Sequence, residues 1–196
     1  VLFIARESYG QKDNDYWKAW KQEEMNITDN FHSRLLYLAY GILNGEQTIK
    51  NWEEMPPAKN LNDDLARKGK FSFAFINASK LNNCSGSTRV QAGKFAEFIN
   101  DPQNQVFFLE EIEILNPDII VSGNLGDVGM MTPFLRERFL TIKDVNENFL
   151  YYDLNLKNKK TIPWLDGWHF SASKCTFENF YHPICTKAKE ILNKKK

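Results

Sequence analysis

Three side chains of different chemistry, Glu7, Asn77 and His169, each follow a segment that predicts a strand. A carboxylate can orient water, an amide offers a donor and an acceptor together, and an imidazole exchanges protons near neutral pH. Each residue also has a common structural use. Glu7 can lie in a surface turn with Tyr9 packed on a helix, Asn77 can satisfy nearby backbone groups, and His169 can be a structural histidine.

The segments before these residues predict a sheet. Residues 1–5, 71–76 and 118–123 are short apolar runs that end in polar loops, which is typical of buried parallel strands. Helical patterning separates them, and a Tyr-rich hairpin is predicted over residues 149–162. The predicted helices cover residues 13–25, 31–43, 90–99, 106–115, 128–138 and about 177–192. A further polar helix is predicted after Pro57, containing Leu61 and Leu65 and ending near Gly69.

Strands that alternate with helices predict right-handed crossovers and helices on both faces of the sheet. We therefore expect a single α/β domain over residues 1–196, with a mainly parallel central sheet in a three-layer α/β/α arrangement. Ligands of such sheets bind outside the carboxyl ends of the strands. A site is expected at the loops after Ala5, Ile76 and Val121 and around His169.

Composition narrows the class of protein. The chain is 42% hydrophobic, which favours a globular domain, and no apolar run is long enough to cross a bilayer. We expect a cytoplasmic monomer that does not bind membranes. A net charge of zero supplies no overall attraction to nucleic acid, so binding to nucleic acid would need a local patch. Cys84, Cys175 and Cys185 are widely spaced, so no disulfide framework, metal site or cofactor is predicted.

Taken in order, these residues resemble the motifs of the uracil-DNA glycosylase superfamily. Its best-known branch has a water-activating loop G-Q-D-P-Y, a strand that ends in Asn, and an H-P-S-P-L segment before the last helix. Residues 5–9 (A-R-E-S-Y) are similar to the first motif, residues 75–77 (F-I-N) to the second and residues 169–173 (H-F-S-A-S) to the third. The resemblance spans most of the chain and implies a uracil-DNA glycosylase-like fold.

The resemblance implies hydrolysis of the N-glycosidic bond of uracil or a related base in DNA. Cleavage builds positive charge on the sugar and negative charge on the base, which calls for a carboxylate on one side and a donor on the other. Glu7 and His169 would be these catalytic groups, and Asn77 would pair with the polar edge of a flipped pyrimidine. The implied substrate-binding residues are Tyr9, Asn77, Trp17 and Ser171. Trp17 lies on an aromatic stripe that helix packing explains equally well.

The chain also departs from the family motifs. Glu7 is one methylene longer than the family's Asp, and Ser8 and Phe170 replace prolines. Ser173 stands where the family has an apolar wedge that fills the gap left by an extruded base. These departures leave open a non-catalytic module that binds a nucleobase or single-stranded nucleic acid on the same fold.

Two weaker alternatives also stay open. One is a different hydrolase with Ser8 or Ser122 as nucleophile and His169 as base, although the chain has no G-x-S-x-G motif. The other concerns Lys80, Arg89, Lys94 and Lys174, which could form a phosphate-binding rim. Scattered surface cations are the commoner explanation of such residues.

Overall fold

The structure is a computed structural model with two compact units. The first comprises Val1–Lys12 and Ala74–Gly167, and the second comprises Asp13–Phe73 and Trp168–Lys196. The prediction of one domain over residues 1–196 stays a prediction. Only the backbone is described for residues 8, 9, 62, 82 and 83. The described residues are 1–6, 8–9, 30–44, 51–62, 73–80, 82–83, 95–126, 139–158 and 160–194.

The first unit contains a six-stranded sheet and a small two-stranded one. Strand β2 (Ser8–Tyr9) pairs in parallel with β4 (Asn82–Asn83). The spatial order of the large sheet is β3-β1-β5-β8-β7-β6. Its strands are β1 (Leu2–Ala5), β3 (Ala74–Asn77), β5 (Ile120–Gly123), β6 (Leu140–Val145), β7 (Leu150–Asn155) and β8 (Thr161–Gly167).

Four neighbouring strands of the large sheet, β3, β1, β5 and β8, run parallel. Every residue of β1 and β5 is buried, and successive side chains of a strand point to opposite faces. Both faces are therefore covered there, as their continuous apolar sequence predicts. The strands end level with one another, because Ala5 pairs with Asn77 and Gly123 pairs with Gly167.

Two helical segments of the first unit follow one another, α3 (residues 95–100) and α4 (Pro102–Leu115). Asp101 caps α4, because its Oδ1 accepts hydrogen bonds from the backbone nitrogens of Gln103 (2.8 Å) and Asn104 (3.2 Å). The helix ends at Asn116, which has a left-handed conformation. Phe108, Leu109 and Ile112 of α4 join the buried core of the sheet.

The second unit is helical in its described residues. Helix α1 (Asn30–Leu43) packs against α2 (Ala58–Asn62) and α5 (His182–Asn193). A 3-10 turn lies at Trp52–Glu54, and a π-helical turn at Phe177–Tyr181 leads directly into α5. Gly41 allows the close approach of α1 to this segment, since a Cβ there would lie 2.6 Å from Sγ of Cys185.

The α/β class and the mostly parallel sheet are confirmed. The predicted hairpin is present as β7 and β8, but β6 was not predicted. Five of its six residues are exposed, so its sequence lacks the apolar pattern of a buried strand. Helix α4 begins four residues earlier than expected, at its Asp101 cap. The predicted helices over residues 13–25 and 128–138 lie outside the described residues.

Candidate functional site

The loops after β1 and β3 run side by side at the carboxyl edge of the sheet. The backbone nitrogen of Ala78 donates to the oxygen of Ala5, and that of Ser79 donates to the oxygen of Arg6, both at 2.8 Å. Two residues further on, Ser8 pairs with Asn82 in the small sheet. Two segments that the sequence predicts to carry site residues are thus joined by backbone hydrogen bonds.

Of the predicted residues on these loops, Asn77 is described in full. It is the last residue of β3 and is half-buried. Its carbonyl oxygen accepts a hydrogen bond of 2.8 Å from Nζ of Lys80, which also contacts Glu111 at 2.6 Å. Glu7, Trp17 and the side chain of Tyr9 lie outside the described residues, so the predictions about them stay predictions.

A buried carboxylate, Asp166 on β8, organises the neighbouring loop. Its Oδ1 accepts hydrogen bonds from Oγ of Ser122 (2.6 Å) and the backbone nitrogen of Leu125 (3.0 Å). Its Oδ2 accepts one from the backbone nitrogen of Gly126 (2.7 Å). Nε1 of Trp164 donates to Oγ of Ser122 at 2.6 Å, which completes a buried polar network.

This network excludes one of the sequence-based hypotheses. Ser122 is fully buried, and its hydroxyl donates to Asp166 while it accepts from Trp164. A nucleophilic serine must instead present its oxygen to a substrate and its proton to a base. The hypothesis that Ser122 is a nucleophile is therefore wrong, and Ser122 serves to hold Asp166.

His169 lies in the second unit, on the loop that follows β8. Its Nδ1 is 3.3 Å from the backbone nitrogen of Ser171 and 2.8 Å from Oγ of the same residue. A backbone N–H can only donate, so Nδ1 is the acceptor. In the tautomer that carries its proton on Nε2, Nδ1 accepts both Ser171 contacts and the Nε2 edge of His169 is a hydrogen-bond donor.

Several contacts hold the His169 loop within its own unit. Nη1 of Arg34, on α1, donates to the carbonyl oxygens of Phe170 (2.6 Å) and Ala172 (2.9 Å). The backbone nitrogen of Ala172 donates to the carbonyl oxygen of His169 at 2.7 Å, and Sγ of Cys175 donates to it at 3.3 Å. The ring of Phe31 lies 6.0 Å from that of His169, centroid to centroid.

The structure thus joins some of the predicted site residues. His169 and Ser171 are in direct contact, whereas Asn77 belongs to the first unit. Sequence reasoning missed Asp166, Arg34 and Phe31. An acidic residue inside the apolar run of β8 is the one signal that could have singled out Asp166. Arg34 and Phe31 carry no such signal, because charged and aromatic residues are usual on an amphipathic helix.

The two described cysteines, Cys175 and Cys185, are free and buried. Burial raises the pKa of the Cys175 thiol to about 11 and that of Cys185 to about 12. Thiols with such pKa values are poor nucleophiles and poor metal ligands at neutral pH. No group of three or more His, Cys, Asp or Glu side chains suited to a metal occurs among the described residues.

Comparisons with family models and with curated protein sequences gave no match. Within the part of the chain that the structure describes, no helix has the length and apolar character needed to span a membrane.

Proposed function

We propose that the chain is a divergent uracil-DNA glycosylase-like hydrolase with a three-layer α/β/α fold. Its reaction would add water across the N-glycosidic bond of uracil or a related base in DNA. The observation that carries the proposal is the contact of Nδ1 of His169 with the backbone N–H of Ser171, at 3.3 Å. This contact favours the tautomer in which Nε2 carries the proton, which is the form that can donate to a departing base anion.

The proposed step gives each side chain a part. Glu7 orients the water and faces the positive charge that develops on the sugar as the C1′–N bond breaks. The water oxygen bonds to C1′, and one water proton leaves. The electrons of the broken C1′–N bond pass to the base, which accepts a hydrogen bond from His169 and takes up a proton. Asn77 pairs with the polar edge of the base, and Tyr9, Trp17 and Ser171 complete substrate binding.

The arrangement of the parallel strands supports this proposal. Asn77 ends β3, the strand next to β1, and Ala5 and Arg6 just before Glu7 are hydrogen-bonded to the residues that follow Asn77. The segment that bears His169 begins directly after Gly167, the end of β8, which is a third strand of the same parallel set. Three of the predicted site segments therefore follow parallel strands, where ligands of such sheets bind.

The test is release of free base from single-stranded and double-stranded oligonucleotides that contain uracil. We expect release by the wild-type protein and a loss of roughly a hundredfold or more in rate for His169→Ala, since removal of one charge-stabilising donor has effects of this size. Glu7→Gln should lose comparable activity. His182→Ala is the matched control and should keep the wild-type rate, because His182 is an exposed helix residue. Absence of base release from every strand would remove the proposal.

A non-catalytic nucleobase-binding or single-strand-binding module is the second candidate. Ser173, which stands in place of the family's apolar wedge, is exposed and has no apolar bulk to insert into a base stack. Binding of the same oligonucleotides without base release would favour this module. Covalent labelling by a serine-reactive phosphonate, lost in Ser171→Ala, would instead indicate a serine hydrolase that uses the Ser171–His169 contact.

A further inference from the structure

We infer that Arg34 is the positioning residue of His169. The inference rests on the proposed function, in which the Nε2–H group of His169 contacts the departing base. The hydrogen bonds that Nη1 of Arg34 donates go to the carbonyl oxygens of Phe170 and Ala172, and not to the His169 ring. Arg34 acts on the backbone that determines where the ring points and which of its nitrogens carries the proton.

The geometry of the Arg34 contacts supports this role. A single nitrogen, Nη1, donates to the carbonyl oxygens of Phe170 and Ala172, which flank Ser171 on either side. These two bonds hold the backbone on both sides of the residue that donates to Nδ1 of His169. The separation in sequence exceeds 130 residues, so the contact couples α1 to the His169 loop rather than stabilising a local turn.

The backbone bonds within the loop each span only a few residues, whereas Arg34 ties the loop to α1. Within the loop, two backbone turns close through Ala172 N to His169 O (2.7 Å) and Cys175 N to Ala172 O (3.1 Å). Each turn fixes only its own few residues. The guanidinium carries a charge, and a hydrogen bond to a charged group is about twice as strong as one between neutral groups. Loss of this cation should therefore weaken the contact of the Ser171 amide with Nδ1.

The experiment reads the His169 tautomer directly. The chain has three histidines, so selective ¹⁵N labelling of histidine gives a spectrum with few signals to assign. We expect wild-type His169 to show an unprotonated Nδ1 and a protonated Nε2. Arg34→Met keeps much of the apolar stem but has no donor, and it should produce a mixture of the two tautomers. Hydrogen exchange of the Ala172 amide should become about tenfold faster or more, as expected for loss of a charged hydrogen bond.

Arg34→Lys provides the conservative variant. Both hydrogen bonds come from one nitrogen, so the single ammonium nitrogen of lysine can donate both, although the lysine side chain is one bond shorter. Its tautomer population and exchange rate should lie between those of wild type and Arg34→Met. Lys160→Met is the matched control. It removes a cation that donates to a backbone carbonyl, that of Pro117 at 3.0 Å, in the first unit, and it should leave His169 unchanged.

These readouts separate the inference from the proposed function because they require no substrate. If the wild-type protein releases no base, the proposed function fails and the spectra still decide whether Arg34 positions His169. If it does release base, Arg34→Met should lower kcat by about tenfold or more with KM nearly unchanged, because a misoriented donor stabilises the transition state poorly. A wild-type tautomer in Arg34→Met, or an equal change in Lys160→Met, would overturn the inference.

Discussion

Oγ of Ser122 donates a hydrogen bond of 2.6 Å to Oδ1 of Asp166, and both residues are buried. The same carboxylate accepts from the backbone nitrogens of Leu125 and Gly126. Asp166 thus links the ends of β5 and β8 to the loop that follows β5. The backbone N–H groups of this glycine-containing loop, which could otherwise face an anionic ligand, donate to the protein itself.

Asp166→Asn should lower the free energy of unfolding by about 3 kcal/mol, since breaking a buried charged network has costs of this order. The NH₂ group of the introduced amide cannot accept hydrogen bonds, so at least one donor to Asp166 loses its acceptor. Denaturant unfolding measures the change. Asp153→Asn is the matched control, since Asp153 is a half-buried residue of the same sheet with a 3.4 Å ion pair to Lys143. Equal effects of the two substitutions would contradict the role given to Asp166.

Gly41→Ala should destabilise the second unit. The added Cβ would contact the hydroxyl of Tyr181 and lie 2.6 Å from Sγ of Cys185. Overpacking of a core costs about 1–3 kcal/mol, which outweighs the roughly 1 kcal/mol that alanine contributes over glycine in a helix. Thermal unfolding gives the net change. In a Cys185→Ala background the cost of Gly41→Ala should shrink, and an unchanged cost would show that this contact is not its source.

Stability should fall at alkaline pH. Burial raises the pKa of Cys185 from 9.0 to about 12, and burial also raises the pKa of Tyr181 above its ordinary value of 10.0. The folded state keeps protons that the unfolded chain loses, so this stability is fully present below about pH 9 and is lost as pH rises towards 12.

Unfolding free energies between pH 8 and 11 test this dependence. Cys185→Ala should decline less steeply with pH than the wild-type protein does. Thr186→Ala, at the exposed neighbouring position, should keep the wild-type slope. Identical slopes for Cys185→Ala and wild type would be incompatible with a raised thiol pKa.

Lys80→Met should have a small effect on stability. Lys80 contacts Glu111 at 2.6 Å, but its side chain is 51% exposed and the pair is open to solvent. Exposed ion pairs contribute about 1 kcal/mol or less, and salt screens them. Denaturant unfolding at low salt should show this small loss, and the loss should vanish near 1 M salt. A loss of unfolding free energy that persists at high salt would mean that the hydrogen bond from Lys80 to the Asn77 carbonyl itself stabilises the fold.

Local patterns predicted the elements that are recognisable from their own residues. Apolar runs predicted β1, β3 and β5, and the apolar stripe of α1 predicted a helix within one residue of its observed start. Strand β6 escaped prediction because an exposed edge strand has no buried face to impose a pattern. The early start of α4 follows from the Asp101 cap, a signal that the apolar periodicity does not contain.

By itself, the sequence determined which residues could take part in catalysis or binding, and that Asn77 and His169 lie at or just beyond the ends of strands. Residue type and short-range spacing encode these properties directly. Only the tertiary structure decided their partners. Ser122 meets Asp166 across 44 residues, and Arg34 reaches Ala172 across 138. Such pairings depend on the order of strands in the sheet and the packing of helices. These are set by burial of apolar surface over a whole unit, which leaves no local mark on the residues that it brings together.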